Sequence, residues 1–183
     1  MARIEPLTIE TAGADTKPIL ENIKKQVGMV PNIYATMAHS PAVIQSVLDF
    51  KGALGKTSLS AAFKEQVALA VAGANQCGYC ASAHTAVGKG MGLSSEVLER
   101  SLRAEAEDAK EQAGLAFARQ VVEARGFVSD EQLQAVRDAG YTDGEVMELV
   151  AVVVFNIFTN YINHVVETEV DFPAVALDPA LSV

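Results

Sequence analysis

Several features that would assign a function at once are missing from this sequence. It has no glycine-rich loop of the type that cradles phosphate groups, no run typical of a β-hairpin, and no alternation of strands with helices. Cationic residues are not in excess either: 14 Lys and Arg face 23 Asp and Glu, so the formal net charge is −9. This balance argues against nonspecific binding to nucleic acid and identifies no partner.

Targeting signals are also scarce. Residues 1–10 show no basic segment followed by an apolar one, so we expect no secretory signal. The longest apolar run, Leu149–Phe155, is much shorter than the roughly 20 residues that a membrane-spanning helix needs. We therefore expect a cytoplasmic protein with no membrane partner. In that reducing compartment, two close cysteines are more often catalytic than structural.

The composition is that of one globular domain. Of the 183 residues, 50% are hydrophobic and 20% charged, which is enough for a good core. Helical periodicity and capping signals predict an all-α, compact single-domain bundle of about seven to nine helices. Ser129 with Gln132, and Thr142 with Glu145, have the spacing of capping boxes. The predicted domain spans residues 1–183, with an N-terminal arm at 1–15, a helical hairpin at 60–91 and a C-terminal strap at 170–183.

The residues suited to chemistry are concentrated in the predicted hairpin. Cys77, Cys80 and His84 stand at i, i+3 and i+7, a spacing that puts all three on one face of an α-helix. A helix of small residues precedes them, with Ser60 as its predicted N-cap. The absence of strands makes a thioredoxin-like fold a poor match despite the C-x2-C motif.

The hairpin is expected to turn near Gln76. Glu65 lies 11 residues before that turn and His84 lies 8 after it. These separations correspond to about 16 and 12 Å along the two helix axes. Glu65 and His84 are therefore predicted to lie at nearly the same level.

A cysteine pair in the first turn of a helix suits redox chemistry. Free backbone N–H groups and the helix dipole stabilise a thiolate there. A second thiol three residues away can attack the sulfenic acid or mixed disulfide formed on the first and close a disulfide. His84 is positioned to take the thiol proton, and Glu65 either to orient the imidazole or to accept its proton in turn. Together, these residues predict a proton relay that ends at a redox dithiol.

The spacing E-x11-C-x2-C-x3-H, formed by Glu65, Cys77, Cys80 and His84, resembles the signature of the alkyl hydroperoxide reductase D family. That family lies within the carboxymuconolactone decarboxylase-like superfamily. The segment from Asn156 to Pro173 is similar to the peroxidase-related branch of the same superfamily. Because the decarboxylase branch typically lacks paired cysteines, the resemblance favours redox chemistry over decarboxylation.

This resemblance implies a thiol-dependent alkyl hydroperoxide reductase with the all-α fold of the family. Cys80 would be the peroxidatic thiol, Cys77 the resolving thiol, His84 the base and Glu65 its partner. Tyr79 stands where some members carry a histidine, and we assign it to the substrate-binding site. An external dithiol reductant of the lipoyl or thioredoxin type and a homo-oligomer are further expectations. No cofactor and no metal are assigned, since the chemistry requires neither haem nor flavin.

The last predicted helix, from Thr142 to about Glu167, is apolar around most of its circumference, which is typical of a central helix or a subunit interface. Its polar exceptions form a stripe at i, i+4, i+7 and i+11: Asn156, Asn160, Asn163 and Glu167. Buried amides need hydrogen-bond partners. The stripe therefore either bonds helices together or brings Asn156 and Asn160 to the substrate pocket beside the dithiol.

Other interpretations of the dithiol stay open at this point. One is a dithiol-disulfide oxidoreductase that acts on a protein or lipoyl-type disulfide. Another is a nonenzymatic binding or metal-buffering module, because a lone C-x2-C is half a zinc site that His84 and the distant His164 would have to complete. A third is a pair of inert thiols packed as small hydrophobic residues.

Overall fold

The computed structural model describes residues 2–181, and this part of the chain contains nine α-helices and no β-strand. The helices are α1 Lys17–Val27, α2 Asn32–Met37, α3 Pro41–Leu54, α4 Ala61–Ala74, α5 Gly78–Gly90, α6 Ser95–Leu102, α7 Ala109–Glu123, α8 Asp130–Asp138 and α9 Asp143–Val166. A short 3-10 helix, Pro179–Leu181, follows them. The predicted all-α class and the predicted range of helix number are confirmed.

Most helices begin at a polar residue that satisfies the free backbone donors of the first turn. The side chain of the N-cap residue accepts a hydrogen bond from the N–H three residues further on. This bond is present at Ser40, Ser60, Ser94, Asp108, Ser129 and Thr142. Both predicted capping boxes are formed in full, which explains why these starts are legible in the sequence.

Helix α4 lies at the centre of the bundle and packs against α5, α6, α7 and α9. All of its residues from Gln66 to Ala74 are buried. Gly73 is required there, because a Cβ atom would lie 2.1 Å from the carbonyl oxygen of Leu102 at the end of α6. The small residues of α4 thus let neighbouring helices approach closely and hold the α4–α5 hairpin in place.

Helix α9 has two different faces. One face is buried and includes Leu149, Val153 and the three asparagines of the polar stripe. The opposite face exposes large apolar side chains: Met147, Val154, Phe158, Tyr161 and Val165. By length and composition α9 is apolar enough to cross a membrane, which its short apolar run in the sequence does not suggest. Half of its most apolar stretch is nevertheless buried inside the bundle, as in the core helix of a globular protein.

The apolar periodicity of residues 41–54 predicts that Phe50 faces the core together with Val47, and for Phe50 this prediction is wrong. The α3 periodicity groups Phe50 with Val47, and Val47 is indeed buried. Phe50 is 38% exposed, however, and contacts only the edge of the Phe155 ring among aromatic residues, at a centroid distance of 5.3 Å. Since α3 packs mainly against α2 and α9, only part of its circumference is covered.

The two terminal segments run across the helices. In the N-terminal arm, the N–H of Arg3 donates to the carbonyl of Val166 and that of Leu7 donates to the carbonyl of Ala35. In the C-terminal strap, the N–H of Val175 donates to the hydroxyl of Ser82 on α5. The strap thus lies beside the helix that carries the cysteines. Met1, Ser182 and Val183, which the predicted arm and strap include, lie outside the described residues.

Candidate active site

The turn between α4 and α5 sets the position of both cysteines. Gln76 takes a left-handed conformation with φ of 54°, which reverses the chain between the two helices. Cys77 is the N-cap of α5, so Cys80 lies in the first turn of that helix. The predicted hairpin with its turn near Gln76 and the N-cap at Ser60 are confirmed.

Glu65 and His84 meet across the hairpin. The Nδ1 atom of His84 lies 2.7 Å from Oε2 of Glu65. Their side chains are 17% and 25% exposed for Glu65 and His84, respectively, so the contact is partly shielded from water. The prediction that these residues lie at the same level is confirmed, and their separation is that of a hydrogen bond.

Both sulfurs are free thiols buried in the protein. Cys77 is 1% exposed and Cys80 is 3% exposed. Their surroundings nevertheless differ, because Cys80 lines a cavity and Cys77 does not. A small molecule in this cavity therefore meets the sulfur of Cys80 first.

The cavity beside Cys80 has a volume of about 480 Å³ and a largely apolar wall. Glu65 and His84 lie on that wall with Cys80, and Tyr79 lies beside them. Lys51 and Lys64 bring positive charge to the same cavity. The apolar and aromatic part of the wall includes Val27, Ile33, Tyr34, Ala68, Ala83, Val87, Met91, Val152, Phe155 and Phe172. This shape and lining are typical of a site for a small organic molecule.

The two thiols are shifted in opposite directions. A hydrogen bond from the Cys77 thiol lowers the pKa of Cys80, while burial of Cys80 acts against it. The positive charge of His84 and the amides of Asn160 and Asn163 also lower the pKa of Cys80, which ends below its ordinary value. The hydrogen bond to Cys80 raises the pKa of Cys77, and burial raises it further. Cys80 is thus the thiolate of the pair and Cys77 the neutral thiol.

The proton affinity of His84 follows from its contact with Glu65. Burial lowers the pKa of His84, but the charge of the Glu65 carboxylate and its hydrogen bond raise it by more. The Cys80 thiolate raises it too, so the pKa of His84 lies above its ordinary value. The negative charge of the Cys80 thiolate and the positive charge of a protonated His84 therefore each favour the charged form of the other group.

The polar stripe of α9 reaches the dithiol through a residue that we did not assign to the site. The Nδ2 atom of Asn163 lies 3.2 Å from Sγ of Cys80 and 3.9 Å from Sγ of Cys77. Asn156 lines the cavity, as predicted. The expectation that Asn160 lines it must be corrected: Asn160 is fully buried, and its Oδ1 accepts a hydrogen bond of 2.9 Å from Asn75.

Tyr79 lies in the cavity wall and is tied to its surroundings on two sides. Its hydroxyl accepts a hydrogen bond of 3.2 Å from the N–H of Ile33. Its ring meets the ring of Phe172, in the strap, edge to face at 5.8 Å. Burial and a hydrogen bond to Asp171 raise the pKa of Tyr79 well above its ordinary value. Tyr79 therefore remains a neutral phenol and shapes the cavity.

The residues of a metal site do not come together. Within residues 2–181, no three His, Cys, Asp or Glu side chains are grouped so that they could hold a metal ion. His164, which that hypothesis requires, is exposed on α9 with its ring near that of Tyr161. The cysteines are buried, so His164 does not complete a set with them.

Other site residues escaped the sequence reasoning: Asn163, Thr159, Lys51, Phe155 and Phe172. For Asn163 a signal existed, because it belongs to the polar stripe, but the stripe does not say which member faces sulfur. Thr159 lines the cavity 4.0 Å from Sγ of Cys80. Lys51 and the two phenylalanines carry no local signal, since they come from three separate segments of the chain.

Comparison with known proteins supports the fold over nearly the whole chain. A structure described as an alkylhydroperoxidase AhpD core, a peroxidase-related protein from Ralstonia eutropha JMP134, has a TM-score of 0.84 and 23% identity, covering 93% of this chain and 92% of that chain. A peroxidase-related protein from Silicibacter sp. TM1040 has a TM-score of 0.80 and 22% identity, covering 93% of this chain and 90% of that chain. A cysteine-to-alanine variant of the debrominase Bmp8 in complex with 2,3,4-tribromopyrrole has a TM-score of 0.78 and 17% identity, covering 92% of this chain and 91% of that chain.

The nine helices of residues 2–181 thus have the all-α fold of the alkylhydroperoxidase AhpD core. Residues 41–124, which include α3 to α7 and the whole E-x11-C-x2-C-x3-H pattern, match the Carboxymuconolactone decarboxylase family. The resemblance predicted from the sequence is confirmed by this match and by the fold. A comparison with curated proteins found no match.

Proposed function

We propose that this protein is a thiol-dependent reductase of organic hydroperoxides. The observation that carries the proposal is the position of Cys80, which lines an apolar cavity, whereas the equally buried Cys77 does not. The lowered pKa of Cys80 adds to this argument, because the thiolate is the nucleophilic form. A nucleophile is thus presented to small apolar molecules, with a second thiol three residues away.

The reaction has three steps. The Cys80 thiolate attacks the terminal oxygen of ROOH, the O–O bond breaks, and the alkoxide takes a proton and leaves as ROH. Two electrons pass from sulfur to the peroxide, and Cys80 becomes a sulfenic acid. The Cys77 thiol then attacks that sulfur, a disulfide forms and water leaves. An external dithiol reduces the disulfide and restores both thiols.

We assign proton transfer in this reaction to His84, with Glu65 as its partner. His84 takes the proton of the Cys80 thiol, and the resulting imidazolium is stabilised by Glu65 at 2.7 Å. The imidazolium then donates that proton to the departing alkoxide. Because Glu65 and the Cys80 thiolate raise the pKa of His84, the imidazole holds this proton more firmly while the thiolate is present.

The cavity supports an organic hydroperoxide in preference to hydrogen peroxide. A volume of about 480 Å³ with an apolar lining holds the body of an alkyl or aryl group, whose burial contributes binding energy. Tyr79 and Asn156 both belong to the wall and are proposed to contact the substrate. Hydrogen peroxide would leave most of this surface uncovered.

The burial of both sulfurs restricts the reductant. Cys77 and Cys80 are 1% and 3% exposed, and Cys80 lines the cavity, so the cavity is a route by which a reductant reaches their disulfide. A dithiol carried on a narrow arm, such as a lipoyl group, fits this route better than the active site of a globular protein. The burial of the sulfurs also restricts the dithiol-disulfide oxidoreductase hypothesis, which then requires a narrow disulfide as substrate.

A second candidate is reductive removal of halogen from an aromatic ring. Four aromatic side chains line the cavity, Tyr34, Tyr79, Phe155 and Phe172, and they suit a flat ring. The chemistry balances with the same dithiol: an aryl bromide and two thiols give the arene, a disulfide and HBr. The structural similarity to a debrominase that binds tribromopyrrole is the reason to test this reaction.

The exposed apolar face of α9 supports the expected homo-oligomer. Met147, Val154, Phe158, Tyr161 and Val165 stand at helical spacing along one side of the helix. A continuous apolar face of this kind is typical of a contact with another chain. We expect Phe158→Glu to reduce the molecular mass measured in solution by light scattering.

The test is stopped-flow consumption of thiols by cumene hydroperoxide in the reduced, metal-free protein. The wild type should lose two thiols per chain. Cys80→Ser should abolish the reaction, and Cys77→Ser should lose one thiol and leave a sulfenic acid that a dimedone reagent traps.

A Cys80→Ser protein that still consumes peroxide at the wild-type rate would refute the assignment. Thiols that ignore peroxide but are oxidised by tribromopyrrole, with release of bromide, would replace the proposal by reductive dehalogenation. If the thiols exchange only with a lipoyl disulfide, the protein is a dithiol-disulfide oxidoreductase and the hydroperoxide reductase proposal is wrong.

A further inference from the structure

The three buried asparagines of α9 are unusual for a helix that is otherwise apolar on its buried face. Asn156, Asn160 and Asn163 are 3%, 0% and 4% exposed. A buried amide is tolerated when its polar atoms have partners, and it weakens the fold when they do not. The partners of Asn160 and Asn163 therefore indicate what these two residues do.

Asn163 has a sulfur atom as its partner. Its Nδ2 lies 3.2 Å from Sγ of Cys80 and 3.9 Å from Sγ of Cys77, while its Oδ1 is buried with no hydrogen bond. Neutral sulfur is a weak acceptor, whereas a thiolate is a strong one. This donor is thus well used only when one of the two sulfurs carries negative charge.

Asn160 holds a second donor that no neutral group satisfies. Its Oδ1 accepts from Nδ2 of Asn75 at 2.9 Å, which fixes the orientation of the amide. Its Nδ2 is buried and has no hydrogen-bond partner. Asn160 precedes Asn163 by three residues on the same buried face of α9, and its amide lowers the pKa of Cys80, so the Cys80 thiolate is the candidate acceptor for this donor.

We propose that Asn163 and Asn160 form a two-amide donor site on α9 that holds the negative charge of the dithiol. Both amides would donate to the Cys80 thiolate in place of the water that burial excludes. Because Asn163 also reaches Cys77, it would follow the charge to that sulfur when an external thiol attacks Cys80 of the disulfide and Cys77 departs as a thiolate. This inference deepens the proposed function, on which it rests for its role in turnover.

Other groups near Cys80 also influence its ionisation, and the test must separate them from the amides. They are Cys77, Tyr79 and His84 on α5, Glu65 and Lys64 on α4, Lys51 on α3, and Asp171 in the strap. The face of α9 in the cavity contributes no charged residue. A substitution on α9 therefore changes the amides and leaves every charged neighbour in place.

The first measurement is the pH titration of the Cys80 thiolate by its ultraviolet absorbance, in a Cys77→Ser background. Asn163→Leu should move the midpoint upward by about one pH unit, which is a tenfold loss of thiolate below the midpoint. Asn160→Leu should move it in the same direction. Asn156→Leu removes a similarly buried amide of α9 whose Nδ2 donates to the carbonyl of Val152, and it is the control for this titration only.

The second measurement is the redox potential of the dithiol with both cysteines present. Loss of a donor to the thiolate destabilises the reduced form, so Asn163→Leu should make the potential more negative. A tenfold change in the equilibrium corresponds to about 30 mV for this two-electron couple. The effect should be greatest at a pH above the thiolate midpoint, where the reduced form carries its full charge.

If the leucine variants fail to fold, the wild-type protein still tests whether the two amides donate to the Cys80 thiolate. The side-chain amide NMR signals of Asn163 and Asn160 should shift with the ionisation of Cys80 and stay constant in Cys80→Ser. Amide signals that do not follow the titration, or leucine variants that fold with an unchanged midpoint and potential, would overturn the inference. If the midpoint shifts as expected while peroxide is not reduced, the proposed function fails and the amide site stands.

Discussion

Cys77 and Cys80 lie three residues apart on one helix, are equally buried, and yet occupy different regions of the molecule. Cys80 faces the cavity, the His84–Glu65 pair and the amides of α9. Cys77 is the N-cap of α5 and is enclosed behind it, away from the cavity wall. The opposite pKa shifts of the two thiols follow from this difference.

The comparison shows that burial alone does not decide whether a thiol ionises. Burial raises the pKa of both cysteines, and only Cys80 has enough donors and positive charge to reverse that effect. The two thiols therefore have different roles: Cys80 favours the thiolate and lines the cavity, whereas Cys77 favours the neutral thiol and does not line it. Substitutions near Cys80 and substitutions of Cys77 change one side of this difference at a time.

The largest effect is expected from the imidazole. His84→Gln should lower the rate of Cys80 oxidation by cumene hydroperoxide about a hundredfold near neutral pH, because it removes both the charge that stabilises the thiolate and the proton donor. Glu65→Gln should have a smaller effect, about tenfold, since the imidazole remains. Stopped-flow measurement of thiol loss checks both.

The exposed His164 on α9 provides the control for that series, and His164→Gln should react at the wild-type rate. Equal rates for His84→Gln and the wild type would remove His84 from the mechanism. A loss in His84→Gln that high pH fully restores would limit its role to thiolate formation.

Filling the cavity should separate large from small substrates. Ala83→Phe places a ring in the cavity beside Cys80 and should slow oxidation by cumene hydroperoxide about tenfold relative to oxidation by hydrogen peroxide. Ala86→Phe on the same helix, outside the cavity wall, is the matched control. An equal loss with both peroxides in Ala83→Phe would show that the cavity does not select the substrate.

The donor role of Cys77 can be isolated with two small side chains. Cys77→Ser keeps an O–H that can donate to the Cys80 thiolate, whereas Cys77→Ala does not. The thiolate fraction of Cys80 below its midpoint should therefore be about fivefold lower in Cys77→Ala than in Cys77→Ser. Identical titrations of the two variants would assign the lowered pKa of Cys80 to other groups.

The smallest effect concerns stability. The raised pKa of His84 means that its pairing with Glu65 stabilises the fold fully below the unfolded pKa of about 6.5, and that this contribution is lost as pH rises through the folded pKa. In a Cys80→Ser background, Glu65→Gln should cost about 1 kcal/mol at acidic to neutral pH and less at alkaline pH. Urea denaturation at several pH values measures the difference in the free energy of unfolding between Cys80→Ser and its Glu65→Gln derivative. A difference that grows as the pH rises would contradict this prediction.

Most features that could be predicted from the sequence depend on residues close together in the chain. The helix starts at Ser60, Ser129 and Thr142 depend on bonds within a few residues, so they are legible without the fold. The level of Glu65 with His84 follows from helix rise alone once the turn near Gln76 is assumed.

What escaped prediction depends on how helices are rotated against one another. The stripe on α9 was visible, but whether Asn160 or Asn163 meets the sulfurs is decided by the packing of α9 on α4 and α5. Phe50 fitted the apolar period of α3 and still reached the surface, because few helices cover α3. Phe172 reaches the cavity through the path of the strap, which has no periodicity to read.

The most direct test of the difference between the two thiols is their competition for a small alkylating agent. The reduced protein is treated briefly with iodoacetamide at a series of pH values, and mass spectrometry measures the label on Cys77 and on Cys80. Cys80 should be labelled at least about tenfold faster, with a midpoint below the ordinary thiol pKa of about 8.5. Preferential labelling of Cys77, or equal labelling of both with an ordinary midpoint, would contradict the account.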